Sequence, residues 1–68
     1  MSVAKIVELK TSSPKSFDDA IKDGLKKAAE TIENIQGAWV SEQEVLVDPD
    51  GTVTEYRVLL KVTFLVKG

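Results

Sequence analysis

Trp39 and Arg57 are the two side chains of this chain best suited to recognition chemistry. Trp39 is the only tryptophan and follows Gly37 closely, and an indole is a flat stacking surface for an aromatic ligand. Arg57 lies near the start of the last strand-like stretch, and a guanidinium presents a fork of donors to carbonyl or phosphate oxygens. The same residues also fit a plainer arrangement, in which Trp39 fills a subunit interface and Arg57 pairs with Glu42, Glu44 or Glu55. Glu42 and Glu44 share one strand face and could form an acid/base pair, yet exposed strand residues of an acidic protein need no such role. The chain contains neither histidine nor cysteine, which excludes a Ser-His-Asp or Cys-His centre and a Cys/His zinc site. Asp48-Pro49-Asp50-Gly51 has the acidic start of a calcium loop but lacks the remaining ligand positions, so it reads as a turn. Catalysis is not expected.

These side chains must be positioned by a small fold. A chain of 68 residues forms one domain, residues 1–68, and buries only about 60% of its unfolded surface, so its own core is marginal. Without disulfides or zinc, oligomerisation is the common remaining source of stability. A net charge of -2 gives no electrostatic basis for nucleic-acid binding. Lys22, Lys26 and Lys27 cluster, but Asp19, Asp23 and Glu30 lie among them, as on a solvated helix face. Met1 to Leu9 is too short and too alternating for a signal peptide, and no apolar run approaches the ~20 residues of a membrane span. A cytoplasmic location is the expectation.

The order of elements follows from periodicity. Val3 to Leu9 reads as a short strand, and Lys10 to Lys15 (KTSSPK) as a loop feeding a helix. Either Ser13, with Pro14 in the first helical position, or Ser16, with Asp19 in capping-box register, starts that helix. Apolar residues at Phe17, Ala20, Ile21, Leu25, Ala28, Ile32 and Ile35 predict helical spacing over about five turns. Gly24 inside the helix predicts close approach of another backbone, and Gly37 either ends the helix or opens the next strand without a side chain. Ala38 to Val47 is the second strand, Asp48 to Gly51 a reversing turn, and Thr52 to Val66 the third strand.

Strand, helix, strand, strand gives a three-stranded antiparallel sheet with one helix on one face. In the last strand Tyr56, Val58, Leu60, Val62, Phe64 and Val66 form the dry face that the helix should cover. Nothing in the chain covers the other face, where Leu59, Thr63, Leu65 and Trp39 are expected. Burial against copies of the same chain resolves that exposure.

The frame VAKIVEL, then TSSPKSF opening a helix, AAETIENI closing it, AWVSEQ opening the second strand and EYRVLLKVTFLV as the last, resembles the dodecin family throughout. The resemblance implies an α+β, β-α-β-β subunit whose antiparallel sheet wraps around its helix, assembling into a hollow homododecamer. It also implies noncatalytic storage or buffering of a flavin, riboflavin or FMN, in pockets between subunits. In flavin-binding members a tryptophan just after the helix stacks on the flavin ring, and a glutamine after the last strand's tyrosine bonds the ring edge. Here the tryptophan position is Gly37, with Trp39 two residues further on the same face, and the glutamine position is Arg57, directly after Tyr56. The expected ligand-lining residues are therefore Trp39, Arg57, Gly37 and Gln43. The arginine also resembles a dodecin subgroup that holds cations and no flavin, which implies, as the alternative, a structural shell with a divalent cation at subunit contacts.

Overall fold

The computed structural model describes residues 2–66. Strand β1 (Val3–Ser13), helix α1 (Phe17–Ala28), strand β2 (Ile35–Val47) and strand β3 (Val53–Val66) follow in that order. All three strands join one antiparallel sheet with β3 at its centre, in the order β1-β3-β2. The central strand alternates as its sequence requires: Val58, Leu60 and Val62 are fully buried beneath the helix, against Ala20. Val7, Leu9, Phe17, Ile21, Leu25, Ile35 and Ala38 close that core, and Phe17 meets Tyr56 edge-to-face with ring centroids 5.2 Å apart.

Ser16 caps the helix: its Oγ accepts the Asp19 backbone N–H at 2.9 Å. Ser13 does not cap, but its hydroxyl donates to Asp19 Oδ2 at 2.6 Å and accepts the Lys15 N–H at 2.9 Å. Asp18 and Asp19 lie in the first turn and Lys26 and Lys27 in the last, each complementing the helix dipole.

Several boundaries differ from the sequence expectation. Lys10 to Ser13 are strand, not loop, because β3 continues far enough to pair them with Leu59 to Tyr56. Their alternation supports this, with Thr11 and Ser13 turned to the helix side and Lys10 and Ser12 to the other. The helix covers three turns, not five. It ends at Ala28, where the Glu30 and Thr31 N–H groups bond back only three residues, to Lys27 and Ala28 carbonyls. Asn34, at φ 62°, takes the left-handed position that redirects the chain into β2. Gly37 thus neither ends the helix nor opens the strand; it sits inside a strand that starts at Ile35. Close approach at Gly24 is real, but the neighbour is a side chain: a Cβ there would lie 2.7 Å from Thr11 Cβ and nearer still to its methyl.

Strand β2 carries two extra residues against β3, Gln36 and Ser41, where the register shifts between Ile35 and Gly37 and between Val40 and Glu42, and β3 carries one against β2, Thr54, at the shift between Leu46 and Val47. Ser41 matters for the site. It breaks the two-residue alternation, so that Trp39, Glu42 and Glu44 all face away from the helix, while Val40, Gln43 and Val45 face with Leu60, Val58 and Tyr56. The Asp48–Gly51 turn closes the hairpin as expected, with Gly51 at φ 87° and the Thr52 N–H donating to Asp50 Oδ1 at 3.0 Å. That hydrogen bond to Thr52 holds the Asp50 carboxyl below its ordinary range.

Candidate functional site: two grooves on the open sheet face

The helix contacts β1 and β3, and the opposite sheet face is open. Reading across that face in register, the rows are Ile6–Thr63–Gly37, Glu8–Lys61–Trp39, Lys10–Leu59–Glu42 and Ser12–Arg57–Glu44. Cross-strand neighbours in such rows have Cβ atoms about 4.5–5.5 Å apart, so each row is a contact unit.

The last two rows form a groove of about 430 Å³ lined by Lys10, Glu42, Gln43, Glu44, Arg57 and Leu59. Its charges are largely matched. Lys10 Nζ lies 3.5 Å from Glu44 Oε1, and Arg57 Nε donates to Glu55 Oε1 at 3.3 Å. Ser12 and then Arg57 hold the Glu55 carboxyl below its ordinary range, through hydrogen bonds to the charged form. Lys10 belongs to this groove only because Lys10 to Ser13 are strand, so sequence reading, which placed it in a loop, missed it.

A second groove, of about 360 Å³, is lined by Ile6, Trp39, Val40, Ser41 and Lys61. Trp39 is 69% exposed, the most open large apolar side chain among the described residues. Gly37, one row away on the same face, leaves clear space: no heavy atom lies within 4 Å of where its Cβ would be.

The four expected ligand-lining residues therefore divide. Trp39 and Gly37 neighbour each other at one end of the open face. Arg57 lies four residues along β3 from Trp39's partner Lys61, about 13 Å at the usual rise per residue. Gln43 contributes to the Arg57 groove but stands in register with Val58, on the helix side. The unpaired Ser41 is what puts Gln43 and Trp39 on opposite faces, and nothing in a single sequence announces such an insertion. Among the described residues no group of three or more carboxylates is placed to hold a metal ion, and no helix is long and apolar enough to cross a membrane.

The dodecin family model matches residues 3–67. Calcium dodecin from Mycobacterium tuberculosis is 36% identical over 64 residues, which covers 94% of this chain and 89% of that protein. Its crystal structure, described as that of a calcium-chelating antigen with a novel calcium-binding site, matches with a TM-score of 0.82 at 32% identity, covering 97% and 93% of the two chains. A point mutant of the Thermus thermophilus dodecin matches with a TM-score of 0.91 at 31% identity over the full length of both chains. Sequence and backbone agree from the first strand to the last: this chain belongs to the dodecin family.

Proposed function

We propose that the protein is one subunit of a hollow homododecamer that binds a small aromatic ligand, a flavin such as riboflavin or FMN, between subunits and stores or buffers it without catalysis. The observation that carries this reading is Trp39: a tryptophan held 69% open on the uncovered face of the sheet, beside a glycine that leaves room for a flat ring. Stacking against the indole supplies most of the affinity. Arg57 supplies orientation from the other end of the open face, four residues along β3 from Trp39's partner Lys61. Assembly is supported by Leu59, Thr63 and Leu65, which lie on the side of β3 away from the helix. In the Arg57 groove Glu44 is engaged by Lys10.

Titration of riboflavin and FMN fluorescence with the purified protein tests the proposal. Quenching at micromolar concentrations, abolished by Trp39→Ala, is the expected outcome. No quenching by the parent protein sinks the flavin reading, and full quenching by the Trp39→Ala variant assigns the stacking to another residue.

The second reading is a shell that holds a divalent cation, and the observation favouring it is the 36%-identical relative named calcium dodecin. In this chain the ligands would be Glu42 and Glu44 on the open face, completed by a neighbouring copy. A melting temperature that rises with added calcium and falls with EDTA is expected on that reading; indifference to both removes it.

A further inference from the structure

We infer that the outer edge of β1 is a seam between two copies of this chain, closed by antiparallel pairing of β1 with β1 of a second copy around a twofold axis at Leu9. The inference rests on the self-assembly of the proposed function and goes beyond it by naming the strand, the register and the ion pairs of one contact. The two edges of the sheet differ in a way that favours β1. β2 is interrupted by register shifts, an irregularity that keeps a strand edge from pairing further. β1 pairs with β3 over all eleven residues without a shift and contains neither proline nor glycine, so its outer side presents a regular row of backbone donors and acceptors. On the helix side that edge borders a groove of about 410 Å³, between Leu9–Ser12 and the helix wall of Asp23, Gly24, Lys27 and Ala28. Leu9 is only half-buried there, and a second Leu9 set against it removes apolar surface from water.

Charge selects the register. A twofold axis perpendicular to the sheet passes through one residue, which faces its own copy, and pairs residues equally distant on either side of it. The charges of β1 are Lys5, Glu8 and Lys10, and an axis at any of the three sets like charges face to face. Only an axis at Leu9 opposes unlike charges, and it does so twice: Glu8 meets the partner's Lys10, and Lys10 meets the partner's Glu8. Glu8 then stands between Lys61, opposite it on β3, and the partner's Lys10. Lys10 lies 3.5 Å from Glu44, an exposed pair, and the partner's Glu8 adds a second carboxylate on its other side. On the helix side Lys5 falls opposite the partner's Ser13, whose hydroxyl binds the Asp19 carboxylate, again cation beside anion.

Charge exchange tests the seam. Glu8→Lys and Lys10→Glu each set like charges together on both sides of the axis. In sedimentation velocity at low ionic strength, where exposed charges are least screened, each should shift to smaller species than the parent. The double variant Glu8→Lys/Lys10→Glu restores both unlike pairs across the seam while placing like charges within the chain, against Lys61 and Glu44. It should sediment as the parent does, although contacts within the chain alone would make it the worst of the three. Leu9→Cys, in a chain with no other cysteine, should be joined into a covalent dimer by a short bis-maleimide. A double variant no better assembled than either single one, single variants that both sediment like the parent, or a Leu9→Cys chain that stays uncoupled overturns the seam and leaves self-assembly standing. A parent that sediments as a monomer overturns the two together.

Discussion

Gly24 and Thr11 show how a single atom decides compatibility between the helix and β1. Alanine in a helix is worth up to about 1 kcal/mol over glycine, so Gly24→Ala would be stabilising on propensity alone. Here the added methyl meets the Thr11 side chain inside van der Waals contact, at its Cβ as well as its methyl, so a change of the Thr11 rotamer alone does not relieve it. The clash should win: Gly24→Ala is expected to lower the denaturant midpoint by an amount equivalent to about 1–2 kcal/mol. Thr11→Ala in the same chain should restore part of the loss, because it removes the methyl and the Thr11 Oγ1, which is buried without a hydrogen-bond partner among the described residues, while the Cβ at position 11 stays 2.7 Å from the new one. A double variant no more stable than Gly24→Ala alone would show that the contact is not the cause. A glycine inside a helix is legible as a close approach, but its partner is not, because Thr11 lies in a stretch with the composition of a loop.

At the scale of elements, the legible parts were those written in local periodicity. The alternation of Val58, Leu60 and Val62 marked the buried face of β3, and the Asp48–Gly51 turn marked the hairpin. What was not legible depended on partners distant in sequence. Lys10 to Ser13 have the composition of a loop and become strand because Tyr56 to Leu59 offer a free edge to pair with. Ile32 and Ile35 keep helical spacing from Ala28, yet Asn34 turns the chain and gives Ile35 to the core from β2. The sequence offers two serines for the helix start, and both contribute. Ser16→Ala should therefore cost about 1 kcal/mol through loss of the cap to the Asp19 N–H. Denaturant unfolding followed by circular dichroism checks this, and an unchanged midpoint would mean that the Ser13–Asp19 hydrogen bond suffices to fix the helix start.

For the molecule as a whole, the sheet is much longer than its helix: the chain measures 53 × 19 × 14 Å, and the twelve residues of α1 cover only part of one face. Leu59 and Leu65, on the other face, are partly buried within one chain and have no helix above them. Leu59→Glu should leave secondary structure intact, because its side chain points away from the Val58–Leu60–Val62 core, while introducing a charge on the face proposed for assembly. Sedimentation velocity is expected to show the parent as a single large species and the variant shifted to smaller ones. A parent that sediments as a monomer would remove the shell altogether.

Ser41 and Gln36 make β2 longer than the stretch of β3 that it accompanies, without adding a row of pairing. Like a strip bonded to a shorter one, such an edge must bow, and the bow has a fixed direction because Gln36 and Ser41 both lie on β2, against the single extra residue Thr54 on β3. Removing Ser41 would leave Trp39 and Glu42 on the open face and Val40 and Gln43 on the helix face, since both already alternate correctly once the extra residue is gone. The deletion would thus preserve every facing and alter only the arc of the subunit. A chain lacking Ser41 is expected to fold and still to self-associate, but into particles of mixed size, as tiles cut to the wrong curvature fail to close one sphere.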